Sequence, residues 1–519
     1  MIAPSNRSSG ICNGRILLLL IFINIFLKSI LWFNTDYALQ PDSQSYIENA
    51  IHIQNLNFEG MNIRFPWLYS FFIALVKVFF NSSETSARIV SVFFSTTLIF
   101  PIFYLSLSLF NRTVSIISVL LIIFNPWINK YSISAMSEVT YMSVSMGGIF
   151  LGYHAWKSQK QIFYFFCGVV MGLAYLTRSE GIGFGITMLL WLAFSESRKP
   201  HKRWKNLLLY TTPFLMLISV FVFFLHWRTG VWTLTYNIGN IAGGVVSGKD
   251  FEIIRYDLNN IYAYILMNIK PLVLKFIYNI RSAVCIKLPE IFSPILMLIA
   301  GLGVWNRELW MEHKKRDLYF ILIFLIPQIL LISVSHVLTR YLLVLIPILL
   351  ILTAKGIEEL HVRSQEVTSL LLKRSVVLGI ILFFFSFITL SPIFRIYFNL
   401  IPIYEIEYKE TGLWIRENTP QNSIIFSQTG VVDFYAQRQK VLIRQQGKSI
   451  YDTQDLESIL SQAYRKNEPC YLIVQQRWAS STLGELLDEK IFRHHRLRPV
   501  YLNNRYPRAK VIVYKILKF

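Results

Sequence analysis

Acidic residues are scarce in this chain: 30 Asp and Glu stand against 51 Lys and Arg, which leaves a formal net charge of +21 over 519 residues. Cysteine is scarcer still. Cys12, Cys167, Cys285 and Cys470 form neither a CxxC pair nor a zinc spacing, so the sequence points to no disulfide framework and no structural metal site. There is no Walker loop, no GxSxG elbow and no dinucleotide fingerprint. A soluble nucleotide-sugar site is missing too, so a transferase built from this sequence has to take its donor from the membrane. No internal repeat or low-complexity segment stands out.

What the sequence has in plenty is apolar surface. Hydrophobic residues make up 54% and aromatic residues 15% of the chain, a composition that marks a polytopic membrane protein rather than a soluble one. The Lys and Arg cluster in short segments between apolar runs, where they set orientation in a bilayer; nucleic-acid binding is not expected. Eleven spanning helices are expected, at about 16–33, 86–110, 113–126, 138–156, 162–177, 181–195, 207–226, 290–305, 318–335, 341–354 and 375–393. Several fall short of the roughly 20 residues a lone span needs and must be sheltered by neighbours. The stretch 65–80 contains Pro66 and Lys77 and is expected to be interfacial or re-entrant. Arg7 and Arg15 precede the first run, but no small-residue cleavage site follows, so that run is expected to stay as a helix.

Charge then orients the chain. With 65–80 kept out of the span count, the short loops on the side of the N-terminus carry 18 Lys plus Arg, among them Arg198, Lys199, Lys202, Arg203 and Lys205. The short loops on the other side carry three: Lys130, Arg178 and Arg340. The positive-inside rule therefore puts the N-terminus in the cytoplasm; the membrane is expected to be the plasma (inner) membrane. Two domains are expected: a transmembrane domain, 1–393, with outer loops 34–85 and 227–289, and an extracytoplasmic α/β domain, 394–519. The tail should hold helices near Lys409–Asn418 and Asp452–Arg465, with strands at Ser423–Phe426, Cys470–Gln475 and Val511–Lys515.

Ionisable groups at the membrane edge cost free energy and tend to serve a site. Asp42, in Gln40-Pro41-Asp42-Ser43-Gln44-Ser45-Tyr46, follows the first span and precedes an amphipathic helix expected over Tyr46–Leu56. Glu138 opens the fourth span, and Glu180 lies with Arg178 in the turn Thr177-Arg178-Ser179-Glu180-Gly181. The topology places all three acids at the outer surface. Blander roles exist for each: Asp42 as an N-cap, Glu138 as an acid favoured by the helix dipole, Arg178 and Glu180 as a turn pair, Arg64 and Arg340 as snorkelling cations.

Taken together, this layout over roughly 16–440 resembles the type C glycosyltransferases, multispanning enzymes that use polyprenyl-phosphate sugars, and especially the branch of protein O-mannosyltransferases and lipid A aminoarabinose transferases. Asp42 with Tyr46 matches the acidic motif of the family's first outer loop, Arg64-Phe65-Pro66 its basic residue before proline, and Ser137-Glu138 the acid of the second outer loop. Thr177-Arg178-Ser179-Glu180-Gly181 looks like the family's Arg-x-Glu-Gly turn, Arg340-Tyr341 like its late Arg-Tyr, and Tyr408–Pro420 with Phe434-Tyr435-Ala436 like its extracytoplasmic cap. The chain departs from many members in having one acid, Asp42, where they have two, which leaves a divalent metal open.

The resemblance implies transfer of a sugar from a polyprenyl-phosphate donor to a lipid, glycan or protein acceptor on the extracytoplasmic face. Such a reaction needs a base for the acceptor proton and cations for the departing phosphate. Asp42 is the candidate base and Glu138 its catalytic partner; Arg64, Arg340 and Arg178 are candidate phosphate holders, because a guanidinium grips phosphate oxygens through a fork. Tyr46 and Glu180 are candidates for support. A single displacement inverts the anomeric centre. The competing readings are a transporter or flippase for a lipid-linked glycan, whose carboxylates would relay protons, and a non-catalytic glycan-assembly factor working through its tail.

Overall fold

The computed structural model describes residues 6–195, 200–242, 245, 260–305, 310–335, 337–367, 406–427, 430–442, 453–475, 496–503 and 510–517. They fall into two compact units: the first draws on Met1–Thr35, Tyr46–Val245 and Leu258–Ile401, the second on Asp36–Ser45 and Pro402–Phe519.

The first unit is helical. It begins with α1 (Asn6–Asn34), α2 (Pro41–Gln54, which belongs here from Tyr46 on) and α3 (Leu68–Lys77), followed by α4 (Ser83–Thr97), α5 (Ile99–Leu109), α6 (Arg112–Phe124) and α7 (Pro126–Ser132). Then come α8 (Glu138–Ser158), α9 (Gln161–Thr177), α10 (Gly181–Ser195) and α11 (Pro200–Thr229). Beyond the long loop lie α12 (Ile261–Met267), α13 (Ile269–Ser282), α14 (Leu288–Phe292), α15 (Pro294–Val304), α16 (Glu312–Ile323), α17 (Leu325–Val334) and α18 (Ile346–Val367). Ten of the eleven expected spans thus fall on helices; the eleventh, 375–393, lies outside the described residues.

Among the described residues, five helices are long and apolar enough to cross a bilayer unaided, and seven if each of two bent pairs counts once. The remaining expected spans are short. At about 1.5 Å per residue, the 15 residues of α10 reach about three-quarters of a ~30 Å hydrocarbon core, so such helices depend on neighbours. Close approach supplies that shelter: a Cβ on Gly168 of α9 would stand 2.1 Å from the Tyr210 carbonyl oxygen of α11. The ten-residue α3 is too short to span.

Three differences from the sequence reading follow from local chemistry. The expected span 113–126 ends at Phe124 and turns 58° into α7, because Asn125 precedes Pro126, adopts an extended conformation (ψ 123°) and caps α7 by accepting from the Ile128 N–H. The helix expected at Tyr46 starts at Pro41 instead, so Asp42 stands inside its first turn rather than capping it, and the Ser43 hydroxyl accepts from the Gln40 N–H at 3.3 Å. Within the expected outer loop 227–289, the described residues 261–289 are largely helical, α12 and the stretch Ile269–Phe292 meeting at 87°.

Polar residues within the bundle fix how α1 faces it. Lys28 and Asn24 are both buried, four residues apart on one helix face. Asn24 donates to the Thr96 hydroxyl at 3.0 Å, and Lys28 donates to Asn129 on α7. Rotating α1 would bare these groups to lipid, which is costly.

The second unit is α/β. Helix α19 (Ile406–Asn418) leads to β1 (Ile424–Ser427), α20 (Gly430–Ala436), β2 (Gln439–Leu442), α21 (Thr453–Tyr464), β3 (Cys470–Gln475), β4 (Leu497–Asn503) and β5 (Val511–Ile516). The sheet order is β2-β1-β3-β5-β4, with β1 parallel to β2 and β3, and β5 antiparallel to β3 and β4. All five expected elements are present within a few residues. The sequence reading did not anticipate β2, β4 or α20: β2 has only four residues, and β4 carries Pro499, which confines it to a sheet edge with an irregular register at Pro499/Tyr501.

Candidate active site

The site is best built from α8. Its N-cap, Ser137, makes no side-chain capping bond; its hydroxyl instead shares a 2.8 Å hydrogen bond with the buried Tyr46 hydroxyl of α2. Tyr46 is held by Phe65 (ring centroids 4.9 Å apart) and by the edge of Tyr69 (5.1 Å). The loop leading to Ser137 is tied at two further carbonyls: Arg88 Nε donates to Ile133 O at 2.8 Å, and Ser91 to Met136 O at 3.3 Å. Four side chains from α2, α3 and α4 thus set where α8 begins, and its first residue is Glu138.

Glu138 is buried, with 2% of its side chain exposed. Its Oε1 accepts from Arg178 Nη1 at 3.1 Å, while Oε2 is buried and has no hydrogen-bond partner among the described residues. Arg178 Nη2 donates to Glu180 Oε1 at 3.2 Å. One guanidinium therefore bridges two carboxylates. Both Arg178, at 5.0 Å, and Arg340, at 5.2 Å, lie over the Tyr341 ring. Burial pushes the Glu180 carboxyl up, but Arg178, and more weakly Arg340, pull it down further, so it titrates below the usual carboxylate range.

The turn that presents Arg178 has a steric reason. Arg178 leaves α9 in an extended conformation, and its carbonyl accepts from the Gly181 N–H at 2.9 Å. A Cβ on Gly181 would sit 2.5 Å from the Ala174 carbonyl carbon, so only glycine lets α10 fold back this closely.

Arg64 lies elsewhere in the same unit and is half-buried. Its Nε donates to Asn237 Oδ1 at 3.1 Å, and Asn237 Nδ2 donates back to the Arg64 carbonyl at 2.9 Å. Among the described residues its two terminal nitrogens carry no hydrogen bond, which keeps the guanidinium fork available. Asp42 belongs to the second unit and is partly exposed in the first turn of α2.

Of the residues expected from sequence, the structure brings together Glu138, Arg178, Glu180 and Arg340 around Tyr341, with Tyr46 on the neighbouring Ser137. Sequence reasoning missed Asn237, Arg88, Ser91 and Tyr341's place between two arginines; none carries a local signature. No group of three His, Cys, Asp or Glu among the described residues is arranged to hold a metal ion. The space between Glu138 and Glu180 is taken by a guanidinium, so this donor set does not fit a divalent cation.

In fold, the chain is similar to solved structures of ArnT and of an oligosaccharyltransferase. The structure is similar to that of ArnT from Cupriavidus metallidurans in the apo state, with a TM-score of 0.54 and 16% identity over 95% of this chain and 97% of that one. The same protein bound to undecaprenyl phosphate gives a TM-score of 0.53 at 14% identity, again over 95% and 97%. The oligosaccharyltransferase AglB from Archaeoglobus fulgidus, in complex with an inhibitory peptide and a dolichol-phosphate, gives 0.56 at 12% identity over 91% of this chain and 70% of that one. In sequence, residues 65–227 match the family described as dolichyl-phosphate-mannose-protein mannosyltransferase. Comparison with the curated proteins finds no match.

Proposed function

We propose that this protein is a membrane glycosyltransferase that moves a sugar from a polyprenyl-phosphate donor to an acceptor on the extracytoplasmic face, with its N-terminus in the cytoplasm and its tail outside. The observation that carries this reading is the fold, shared over nine-tenths of the chain with two proteins whose structures hold dolichol-phosphate or undecaprenyl phosphate. The buried acid and arginine cluster at the ends of α8 and α9 supports it.

In the reaction the acceptor hydroxyl oxygen forms a bond to the anomeric carbon while the bond from that carbon to the phosphate oxygen breaks. Asp42 takes the hydroxyl proton, and polyprenyl phosphate leaves with the bonding electron pair. Attack opposite the leaving group inverts the anomeric centre. Arg64, through its open fork, and Arg340 stabilise the charge that builds on the phosphate. Glu138 offers Oε2 to a substrate hydroxyl. Arg178 is reassigned here: with its terminal nitrogens on Glu138 and Glu180, it orients Glu138 rather than holding phosphate.

The test is transfer by purified protein in liposomes, supplied with polyprenyl-phosphate mannose or aminoarabinose and an envelope extract as acceptor source. Asp42→Asn preserves shape but cannot take a proton; it should lower transfer by about 10²- to 10⁴-fold while polyprenyl phosphate still binds. An Asp42→Asn protein as active as wild type removes Asp42 as the base. Wild-type protein that transfers neither sugar, yet moves the lipid-linked donor across the bilayer, makes it a transporter.

A further inference from the structure

The C-terminal unit holds more than its own sheet. The segment Asp36–Ser45 packs with it, and within this segment Tyr37, Ala38, Leu39, Ser43 and Gln44 are all buried. Between these buried residues Pro41 is exposed and Gln40 and Asp42 are partly exposed. Three specific attachments make the clamp. The Leu39 N–H donates to the Tyr435 hydroxyl at 3.1 Å, and Lys409 Nζ donates to the Tyr37 carbonyl at 2.9 Å. Lys409 also lies 5.1 Å from the Tyr435 ring centroid, so one cation links both anchors. The third is steric: a Cβ on Gly430 would stand 2.1 Å from Gln44 Oε1, so glycine there lets the Gln44 amide seat against α20.

Backbone groups in an extended segment have no helix or sheet partner of their own and stay in place only if something else bonds them. Here the bonds come from α19 and α20, almost four hundred residues further along the chain. We propose that Tyr435, Lys409 and Gly430 are positioning residues, and that the C-terminal α/β unit serves to hold the segment 37–44 so that Asp42 is presented in one fixed place. The inference rests on the reading of Asp42 as the base. Its energetic logic is that a displacement of about 1 Å in a reacting group costs on the order of 10²-fold in rate, which a flexible loop cannot avoid and a clamped one can.

The experiment uses the full chain and four variants: Tyr435→Phe, which removes only the hydroxyl; Lys409→Met, which keeps the stem and removes the charge; Lys409→Arg, which can restore the bond; and Gly430→Ala. Hydrogen exchange of the 36–45 peptide and steady-state transfer are measured on each, with Asp42→Asn alongside. Exchange at 36–45 should accelerate in Tyr435→Phe and Lys409→Met. Their kcat should fall by about tenfold or more, toward the 10²-fold limit, while the donor KM stays within about twofold and Lys409→Arg recovers most of the loss. Gly430→Ala should behave like Tyr435→Phe if it still folds. Unchanged exchange in the Tyr435 and Lys409 variants overturns the clamp, and accelerated exchange with wild-type kcat overturns the positioning role. If Asp42→Asn is itself fully active, what fails is the assignment of the base, and the exchange result still decides whether the clamp exists.

Discussion

Gly181 lies so close to Ala174 that an added Cβ would meet the Ala174 carbonyl carbon at 2.5 Å and its oxygen at 2.6 Å. Backbone meets backbone there, so no side chain can swing away to make room. Gly181→Ala should push α10 from α9, lower stability by about 1 to 3 kcal/mol, and displace Arg178 from Glu138. Thermal unfolding in detergent, together with transfer activity, checks this; a variant with wild-type melting and wild-type turnover would mean that the turn tolerates a methyl group.

Removing Arg178 strands a buried carboxylate. Arg178→Met should destabilise by about 3 to 5 kcal/mol, because the buried Glu138 side chain loses the guanidinium it is paired with. The double variant Arg178→Met with Glu138→Gln should recover much of that loss, since the remaining amide is neutral. Additive effects of the two changes in a double-mutant cycle would sink the pairing.

Acid should dismantle the same cluster in a definite direction. The folded Glu180 carboxyl titrates below its unfolded value, so the stability it contributes is complete above the ordinary glutamate pKa of about 4.3 and is lost as pH falls through the depressed folded value. The melting-temperature gap between wild type and Glu180→Gln should be constant from neutral pH down to about 5 and shrink below about 4. A gap that widens on acidification would reverse the sign of this assignment.

Arg64 and Arg340 are proposed to meet the donor phosphate, so Arg64→Ala and Arg340→Ala should each weaken binding of polyprenyl phosphate by about tenfold or more with smaller effects on melting. Lysine at position 64 should recover only part of the loss, because it lacks the fork. Affinity that stays at the wild-type level in both alanine variants would leave these side chains as interfacial cations.

Orientation can be read by labelling. In a background with Cys12, Cys167, Cys285 and Cys470 replaced, an impermeant maleimide applied to intact cells should react with Glu59→Cys and not with Lys202→Cys, both at exposed positions. The reverse pattern would put the acidic cluster on the cytoplasmic face.

Local physics made much of this protein readable from its residues. The runs of Leu, Ile and Phe gave the helices of the first unit because hydropathy acts over one window of chain, and short, nearly continuous apolar runs gave β3 and β5, which are almost wholly buried, for the same reason. Pro126 after Asn125 carried a bend that could have been read locally and was missed as an end of the span. The site itself was legible as residue types in the turns between expected spans, but not as bonds. Arg178 meets Glu138 across 40 residues, Tyr46 meets Ser137 across 91, Arg64 meets Asn237 across 173, and Leu39 meets Tyr435 across 396. Separations of that kind leave no period or motif in the sequence; they are decided by which helices and strands pack together. The sequence determined that Arg178 would stand at a turn between two helices. Only the packing of α8 beside α9, with glycine at 181 allowing α10 to fold back, determined that its guanidinium would be taken by two carboxylates.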